Sequence, residues 1–171
     1  MKLTDQRAIK ADVATVWAAI LDADVLKACL PGCETMTGNP IDGFEAVVVQ
    51  KVGPVKARFT GAVALSDMVA QQSLRMAGEG KGGPAGFAKG AALVTLSASE
   101  TGTLLAYEVE AHVGGKLAQL GSRIIDGFAK KTADDFFARL QKAVEGDVET
   151  DENPPTTDAA KKQNWLRRLV S

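Results

Sequence analysis

The spacing of apolar residues divides the N-terminal part of the chain into one strand and two short helices. Residues 3–9 are predicted to form the strand. A helix is predicted over residues 11–21, with Asp12 as its N-cap. Its apolar residues recur at helical spacing: Val13, Trp17, Ile20 and Leu21. A second helix is predicted over residues 22–28, and Leu30-Pro31-Gly32 ends it.

Between Phe44 and Val113 the apolar residues alternate with polar ones, which is typical of strands. In residues 55–65 one face carries Val55, Phe59, Val63 and Leu65, and the other carries Lys56, Arg58 and Thr60. Turn signals divide the region at Gly53-Pro54, Ser66-Asp67, Glu79–Gly86 and Glu100–Gly102. The pattern predicts an antiparallel sheet of six or seven strands with one apolar and one solvated face.

A long amphipathic helix is predicted over residues 116–145, and Gly146 is expected to end it. A curved sheet with one apolar face and one such helix favours an α+β fold in which the sheet wraps around the helix. The two short helices would close the space between them. We therefore predict a domain over residues 1–146, an acidic linker containing Pro154-Pro155 over 147–160, and a basic amphipathic tail over 161–171.

Charge and composition exclude several classes of protein. Lys and Arg number 20 and Asp and Glu number 21, so no basic excess exists to neutralise nucleic-acid phosphates. The first residues carry charges where a signal peptide needs an apolar stretch. No apolar run approaches the ~20 residues of a membrane-spanning helix. We expect a cytoplasmic protein, with peripheral contact at the inner face of the cell membrane through its tail.

Three segments of the sequence resemble one known family. They are residues 23–34 (ADVLKACLPGCE), 53–61 (GPVKARFTG) and 114–123 (GGKLAQLGSR). Together they are similar to the CoxG family of carbon monoxide dehydrogenase subunits, which belongs to the helix-grip (SRPBCC, START-like) superfamily. The resemblance implies a non-catalytic accessory protein of a molybdenum hydroxylase. It also implies binding of a quinone or similar apolar ligand and recruitment of the enzyme to the membrane.

The concave face of the predicted sheet is expected to line a ligand cavity, with an entrance near Gly78–Gly86. Aromatic residues make up only 5% of the chain and many sheet positions are Ala or Gly, so the interior is expected to be underfilled. Tyr107 would offer a hydrogen bond to a quinone carbonyl or a lipid head group. The predicted lining residues are Trp17, Phe59, Leu74, Met76, Phe87, Leu93, Tyr107, Leu120, Ile124 and Phe128. No covalently bound cofactor is expected.

The histidine and the two cysteines are better explained as structural or surface residues than as catalytic or metal-binding ones. His112 is the only histidine, and strand alternation places it on the solvated face with Glu108 and Glu110. Cys29 and Cys33 lack the further ligands that a metal site needs, so we interpret them as small buried residues. No metal site is therefore predicted.

Two further patterns are also interpreted as structural. Gly78–Gly83 fits G-x-G-x-x-G, but Pro84 and a strand follow it rather than a helix. We interpret it as a flexible glycine-rich connection. The aspartates of the long helix alternate with basic residues, as on an exposed helix face. They are Asp126, Asp134 and Asp135, among Lys130, Lys131 and Arg139.

The tail combines basic and apolar residues in the manner of an interfacial membrane segment. The predicted contact residues are Lys161, Lys162, Trp165, Leu166, Arg167, Arg168, Leu169 and Val170. As a helix the segment would be about 15 Å long, too short to span a bilayer. Docking on its own domain or on a partner protein is an equal alternative.

Three functions remain open from the sequence. The first is a non-catalytic carrier or adaptor that links a molybdenum hydroxylase to the membrane. The second is an enzyme of the cyclase or hydrolase kind on the same fold, which needs acid–base residues inside the cavity. The third is an assembly factor without a ligand, which needs a filled core.

Overall fold

A seven-stranded sheet and four helices form the domain in a computed structural model, which describes the backbone of residues 1–151 and the side chains of residues 1–145. The strands are β1 (Lys2–Ile9), β2 (Cys33–Asn39), β3 (Gly43–Val52), β4 (Val55–Val69), β5 (Ser73–Lys81), β6 (Phe87–Ser99) and β7 (Gly102–Gly114). The helices are α1 (Val13–Ile20), α2 (Ala23–Cys29), α3 (Lys116–Gln119) and α4 (Ser122–Asp151).

The sheet is antiparallel throughout, with the strand order β1-β7-β6-β5-β4-β3-β2. Successive side chains alternate between a concave face, which α4 covers, and an outer face. Along β4, for example, Phe59 and Val63 are partly buried whereas Lys56 and Thr60 are exposed. The predicted helix-grip architecture, a curved antiparallel sheet around a long C-terminal helix, is confirmed.

The packed core lies between the sheet, α1, α2 and the C-terminal half of α4. Leu140 of α4 is completely buried against a cluster that includes Ile9 of β1 and Val16 of α1. The α4 side chain of Glu145 accepts a hydrogen bond from the backbone N–H of Lys10. Helix α4 therefore runs from the β3–β4 turn, where Ile124 contacts Gly53, to the opposite end of the sheet.

The short helices begin at side-chain caps. The Asp12 carboxylate accepts a hydrogen bond from the backbone N–H of Thr15, as the sequence predicts, and this bond lowers the pKa of Asp12. Asp22 caps α2 in the same way through the N–H groups of Asp24 and Val25. Asp22 follows the last residue of α1 by two positions, so α2 begins almost directly after α1.

The sequence prediction misses one strand and misplaces one turn. Strand β2 is an edge strand of mostly polar residues, so its alternation is weak. The predicted turn at Ser66-Asp67 is wrong, because β4 continues to Val69 and the chain turns at residues 70–72. At Asp67 the backbone has a φ of 51°, and the register with β5 shifts there. The turn signal marks a bulge rather than the end of the strand.

The predicted single helix over residues 116–145 is two helices. Gly121, with a φ of 90°, separates α3 from α4. Gly146 does not end α4, because the helix continues to Asp151 and so includes the first residues of the predicted linker. The remaining linker residues and the predicted tail lie outside the described residues. None of the helices within residues 1–151 has both the length and the hydropathy needed to cross a membrane.

The glycine-rich segment is more ordered in its structure than the sequence predicts. Gly78 and Gly80 belong to β5, and only a short 3-10 turn over Gly83–Ala85 connects β5 to β6. A Cβ on Gly78 would lie 3.0 Å from both the Ala62 carbonyl oxygen and the Val63 side chain. This glycine allows close strand packing and does not form a flexible lip.

Candidate functional site

A cavity of about 940 Å³ lies between the concave face of the sheet, α3 and the N-terminal half of α4. Most of its lining atoms are apolar. The sheet contributes Leu3, Gln50, Val52, Phe59, Gly80, Ala88, Val109, Ala111 and Val113. The helices contribute Leu117, Ala118, Ser122, Ile125, Asp126, Phe128, Ala129, Thr132, Ala133 and Phe136. Met1, Leu30, His112 and Gly121 complete the lining.

Small residues on facing elements create this space. Gly80, Ala88 and Ala111 point inward on three neighbouring strands, and Ala129 and Ala133 lie on α4. A Cβ placed on Gly80 meets no atom within 4 Å, so this part of the sheet faces open space. Packed protein interiors leave few voids larger than a water molecule. An opening of this size is therefore suited to hold a ligand.

The aromatic wall of the cavity is held by backbone packing behind it. A Cβ on Gly82 would lie 2.5 Å from the ring of Phe59, so the ring packs directly on the glycine backbone. On the opposite side α4 presents Phe128 and Phe136. Flat apolar surfaces on both sides would suit a planar ring or an isoprenoid chain.

The polar groups in the lining are few, and they differ in exposure and in hydrogen bonding. The Gln50 amide donates a 2.5 Å hydrogen bond to the Pro31 carbonyl oxygen, so one of its two N–H donors is already used. Thr132 is partly buried and no hydrogen bond engages its hydroxyl among the described residues. Ser122 and Asp126 are exposed as well as lining the cavity, as are Ala118 and Gly121. These exposed lining residues place the mouth of the cavity at the junction of α3 and α4.

Two of the ten residues predicted to line the cavity do so: Phe59 and Phe128. Trp17, Leu74, Met76 and Tyr107 belong to the packed core at the other end of the molecule. Leu120 and Ile124 lie beside Gly53 at the β3–β4 turn. The predicted entrance near Gly78–Gly86 differs from the observed one. Only Gly80 of that segment lines the cavity, and the mouth lies at the junction of α3 and α4.

Phe87 and Leu93 lie on the outer face of the sheet, so their prediction as interior residues is wrong. In the register of β6 with β7, Leu93 faces the exposed Glu108, and Phe87 belongs to the same alternating set. The Phe87 ring covers Gly114, where a Cβ would overlap it. The sequence assignment failed because both faces of β6 carry apolar residues, and only the strand register separates them.

Tyr107 belongs to an aromatic and ionic cluster that closes the far end of the interior. Its ring stacks on Phe137 at 4.8 Å, and the Arg7 guanidinium lies 5.4 Å from the Phe137 ring centroid. Arg7 also pairs with Asp134 of α4. Lys130 and then Arg7 lower the pKa of that carboxylate through hydrogen bonds. No sequence pattern indicates the ion pair between Arg7 and Asp134, because a charged residue on the apolar face of β1 does not reveal its partner on α4.

The other candidate residues are a histidine, a helix aspartate and two cysteines. His112 is exposed beside Glu110, and Lys131 pairs with Asp135 along the surface of α4. Cys29 is buried and Cys33 is half-buried, and burial raises the pKa of both thiols. Within residues 1–151 no three His, Cys, Asp or Glu side chains lie close enough to hold a metal ion.

A second depression, of about 830 Å³, lies against the outer face of the sheet. Its floor consists of outward-facing alanines, including Ala62, Ala77 and Ala91, and its sides carry charged groups such as Glu79 and Lys89. It lacks the facing aromatic walls and the covering helix of the internal cavity. We therefore take the internal cavity as the candidate binding site.

Comparison with known proteins agrees with this architecture. The family model for the CoxG subunit of carbon monoxide dehydrogenase matches residues 6–145. A conserved protein from Geobacillus kaustophilus has a similar structure, with 27% identity, a TM-score of 0.79, and coverage of 85% of this chain and 96% of that chain. A START superfamily protein from Mycobacterium smegmatis has the same fold at 14% identity, with a TM-score of 0.63 and coverage of 85% and 97%. No curated protein matches the sequence.

Proposed function

Since the chain belongs to the CoxG family of carbon monoxide dehydrogenase subunits, we propose that it is a non-catalytic accessory protein of a molybdenum hydroxylase of the carbon monoxide dehydrogenase type. In this proposal it binds a quinone or a similar apolar molecule in its internal cavity. It thereby helps to link the enzyme to the membrane. The family name supports the accessory role, and the cavity supports the ligand.

The size and walls of the cavity are the observations that carry the ligand proposal. A space of about 940 Å³ is at the upper end of the range typical of small-molecule sites. Phe59 and Phe128 offer flat apolar contacts on its two sides. A domain serving only as a docking surface would be expected to have a filled core, so the open interior disfavours the ligand-free assembly factor.

The polar groups suit a ligand that accepts hydrogen bonds. Quinone carbonyl oxygens need donors, and the hydroxyls of Thr132 and Ser122 are present in the lining. These hydroxyls take the role that the sequence analysis assigned to Tyr107. A cyclase or hydrolase would need a positioned acid–base pair inside the cavity. Asp126 and His112 belong to the lining, but both are exposed rather than enclosed.

Ligand binding predicts a concentration-dependent rise in melting temperature. Decylubiquinone and menadione would be titrated against the purified chain, with oleate as a chain-only probe. At a ligand concentration of about 100 times Kd the folded state gains about 2.7 kcal/mol, which corresponds to roughly 5–10 °C for a domain of this size. Scanning fluorimetry measures the shift. An unchanged melting temperature with all three compounds would contradict the proposal.

The proposed membrane contact predicts a role for the basic tail. Deleting Asn164–Ser171 is expected to leave the domain folded, because the described core consists of residues within 1–145. The deletion should weaken binding to vesicles containing anionic lipid, since it removes cations and apolar residues together. Trp165 emission should shift to the blue on binding by the intact chain, with Trp165→Phe as the control. Equal vesicle binding by both chains would exclude this contact.

A further inference from the structure

Five basic residues belong to the segments that meet at the end of the sheet where the cavity opens, and we call them the cationic rim: Lys51, Lys56, Lys81, Lys116 and Arg123. All five are exposed. They come from the β3–β4 hairpin, the end of β5, the start of α3 and the start of α4. These segments meet at the end of the sheet where the α3–α4 junction opens the cavity. None of the five makes a salt bridge with another residue in the described chain.

The rim concentrates positive charge at a cost to the fold. Lys51 lies directly opposite Lys56 in the register of β3 with β4. Like charges at facing positions of an antiparallel pair destabilise the sheet. Lys56 and Lys116 also line one groove of about 590 Å³ between the Gly53-Pro54 and Gly83-Pro84 turns. Neighbouring strands and a helix thus direct cations to the same place.

Acidic groups compensate little of this charge. Near the rim, Nε and Nη2 of Arg58 each donate a 3.1 Å hydrogen bond to the Glu34 carboxylate, and Glu79 faces Lys89 across β5 and β6. Asp126 remains as the acidic group at the mouth. The hairpin tips at the opposite end of the sheet instead carry Asp42, Asp67 and Glu100. The chain is almost neutral as a whole, with a net charge of -1, so the cationic rim is a local concentration of positive charge.

Apolar side chains are exposed among these cations. Ile124 is 40% exposed beside the β3–β4 turn, and Phe87 is 39% exposed beside Lys81. Cations that meet anionic head groups, together with apolar residues that enter the interface, are typical of peripheral membrane surfaces. An acidic protein would match the charge alone. A lipid surface also matches the apolar residues and the apolar cavity that opens there.

We propose that the cationic rim docks on an anionic lipid surface and turns the mouth of the cavity toward the bilayer. This contact is separate from the tail. The inference rests on the proposed function, since the orientation matters only for a cavity that exchanges an apolar ligand with the membrane. Docking of the rim would shorten the path of such a ligand through water.

Neutralising the rim tests the contact. The full chain with Lys51→Gln, Lys56→Gln, Lys81→Gln and Lys116→Gln would be compared with a matched variant that loses the same charge elsewhere. The control substitutions are Lys10→Gln, Arg75→Gln, Arg139→Gln and Lys142→Gln, all at exposed positions away from the mouth. Flotation with vesicles of equal parts phosphatidylcholine and phosphatidylglycerol measures binding. Each cation near such a surface is worth about a fivefold gain in affinity, so the rim variant should bind more than about tenfold more weakly than the control.

A fluorescence experiment tests the orientation directly. In a Trp165→Phe background, one variant carries Ile124→Trp at the rim and the other Ile41→Trp at the opposite end, where Ile41 is 89% exposed. Trp17 is partly buried and contributes the same background to both. Brominated lipids should quench the indole at position 124 and leave the one at position 41 unchanged. Equal quenching at both positions would overturn the proposed orientation.

The two proposals fail in different ways. The rim variant should keep the melting-temperature shift with decylubiquinone, because none of its four substitutions lines the cavity. If decylubiquinone shifted the melting temperature of neither the native chain nor any variant, the ligand proposal would be rejected, whereas the proposed lipid contact would be unaffected. Vesicle binding equal to that of the control variant would reject the rim. If the rim variant lost binding to a partner dehydrogenase but still bound vesicles like the control variant, the lipid contact would also be rejected. The rim would then be assigned to binding of an acidic protein.

Discussion

Gly80→Trp is expected to weaken ligand binding strongly while the domain stays folded. Gly80 faces the cavity from β5, and no atom lies within 4 Å of a Cβ at that position. The indole would occupy the space between Phe59 and the helices that a ligand needs. Loss of the packing contacts on one side of a ligand is expected to weaken binding by at least about 100-fold, or roughly 3 kcal/mol. Isothermal titration with decylubiquinone measures this change.

The stability of the same variant separates occlusion from unfolding. A tryptophan has a higher β-propensity than glycine and would bury apolar surface, so the ligand-free melting temperature should stay equal or rise. The matched control is Ala77→Trp, which places the same side chain on the exposed outer face of β5. It should bind ligand like the native chain. If Gly80→Trp instead destabilises the domain by about 1–3 kcal/mol, as overpacking does, the interior is filled and the cavity assignment is wrong.

Gly32→Ala is expected to cause a large loss of stability. The backbone of Gly32 has a φ of 77°, and a Cβ there would overlap the carbonyl oxygen of Val49. The Val49 N–H donates a 2.9 Å hydrogen bond to the Gly32 carbonyl, so the two segments cannot separate without losing it. Left-handed strain, the overlap and the lost bond together predict a decrease of more than about 3 kcal/mol in the free energy of unfolding. Urea unfolding measures this difference.

Gly127→Ala provides the contrast on α4. No atom lies within 4 Å of a Cβ on Gly127, and alanine favours the helix over glycine by roughly 0.5–1 kcal/mol. This variant should therefore be more stable than the native chain. A Gly32→Ala variant as stable as Gly127→Ala would show that the Pro31–Gly32 segment does not fix the position of β3. That segment also holds the lining residue Gln50 through the Pro31 carbonyl.

Most of the fold follows from patterns that the sequence shows clearly. Strands β4 and β7 alternate regularly, α1 has its Asp12 cap, and α4 has a long apolar stripe, so each was predicted close to its position. The failures have local physical causes. Strand β2 is polar because it lies at an edge, and the bulge at Asp67 uses residues that also form turns. The sequence does not indicate that Gly121 has a positive φ, so it was counted as a residue of one continuous helix.

The cavity was harder to predict than the fold, because it depends on which residues fail to fill space. Large apolar residues such as Tyr107 and Leu74 were expected to line it, but they fill the core. The opening arises where Gly80, Ala88 and Ala111 become neighbours through strand register. Their adjacency depends on pairing between strands distant in sequence. Small residues on the same predicted face are therefore a better sequence signal for this site than aromatic ones.

The direction of α4 limits how the domain can stand on a membrane. With 30 residues the helix is about 45 Å long, and it leads the chain away from the mouth of the cavity. Between Asp151 and residue 161 the chain can span at most roughly 36 Å. A tail bound to the same bilayer as the cationic rim therefore forces the α4 axis to lean from the membrane normal by at least about 37°. The tether thus sets a minimum tilt, and lengthening it by about three residues would remove that restriction.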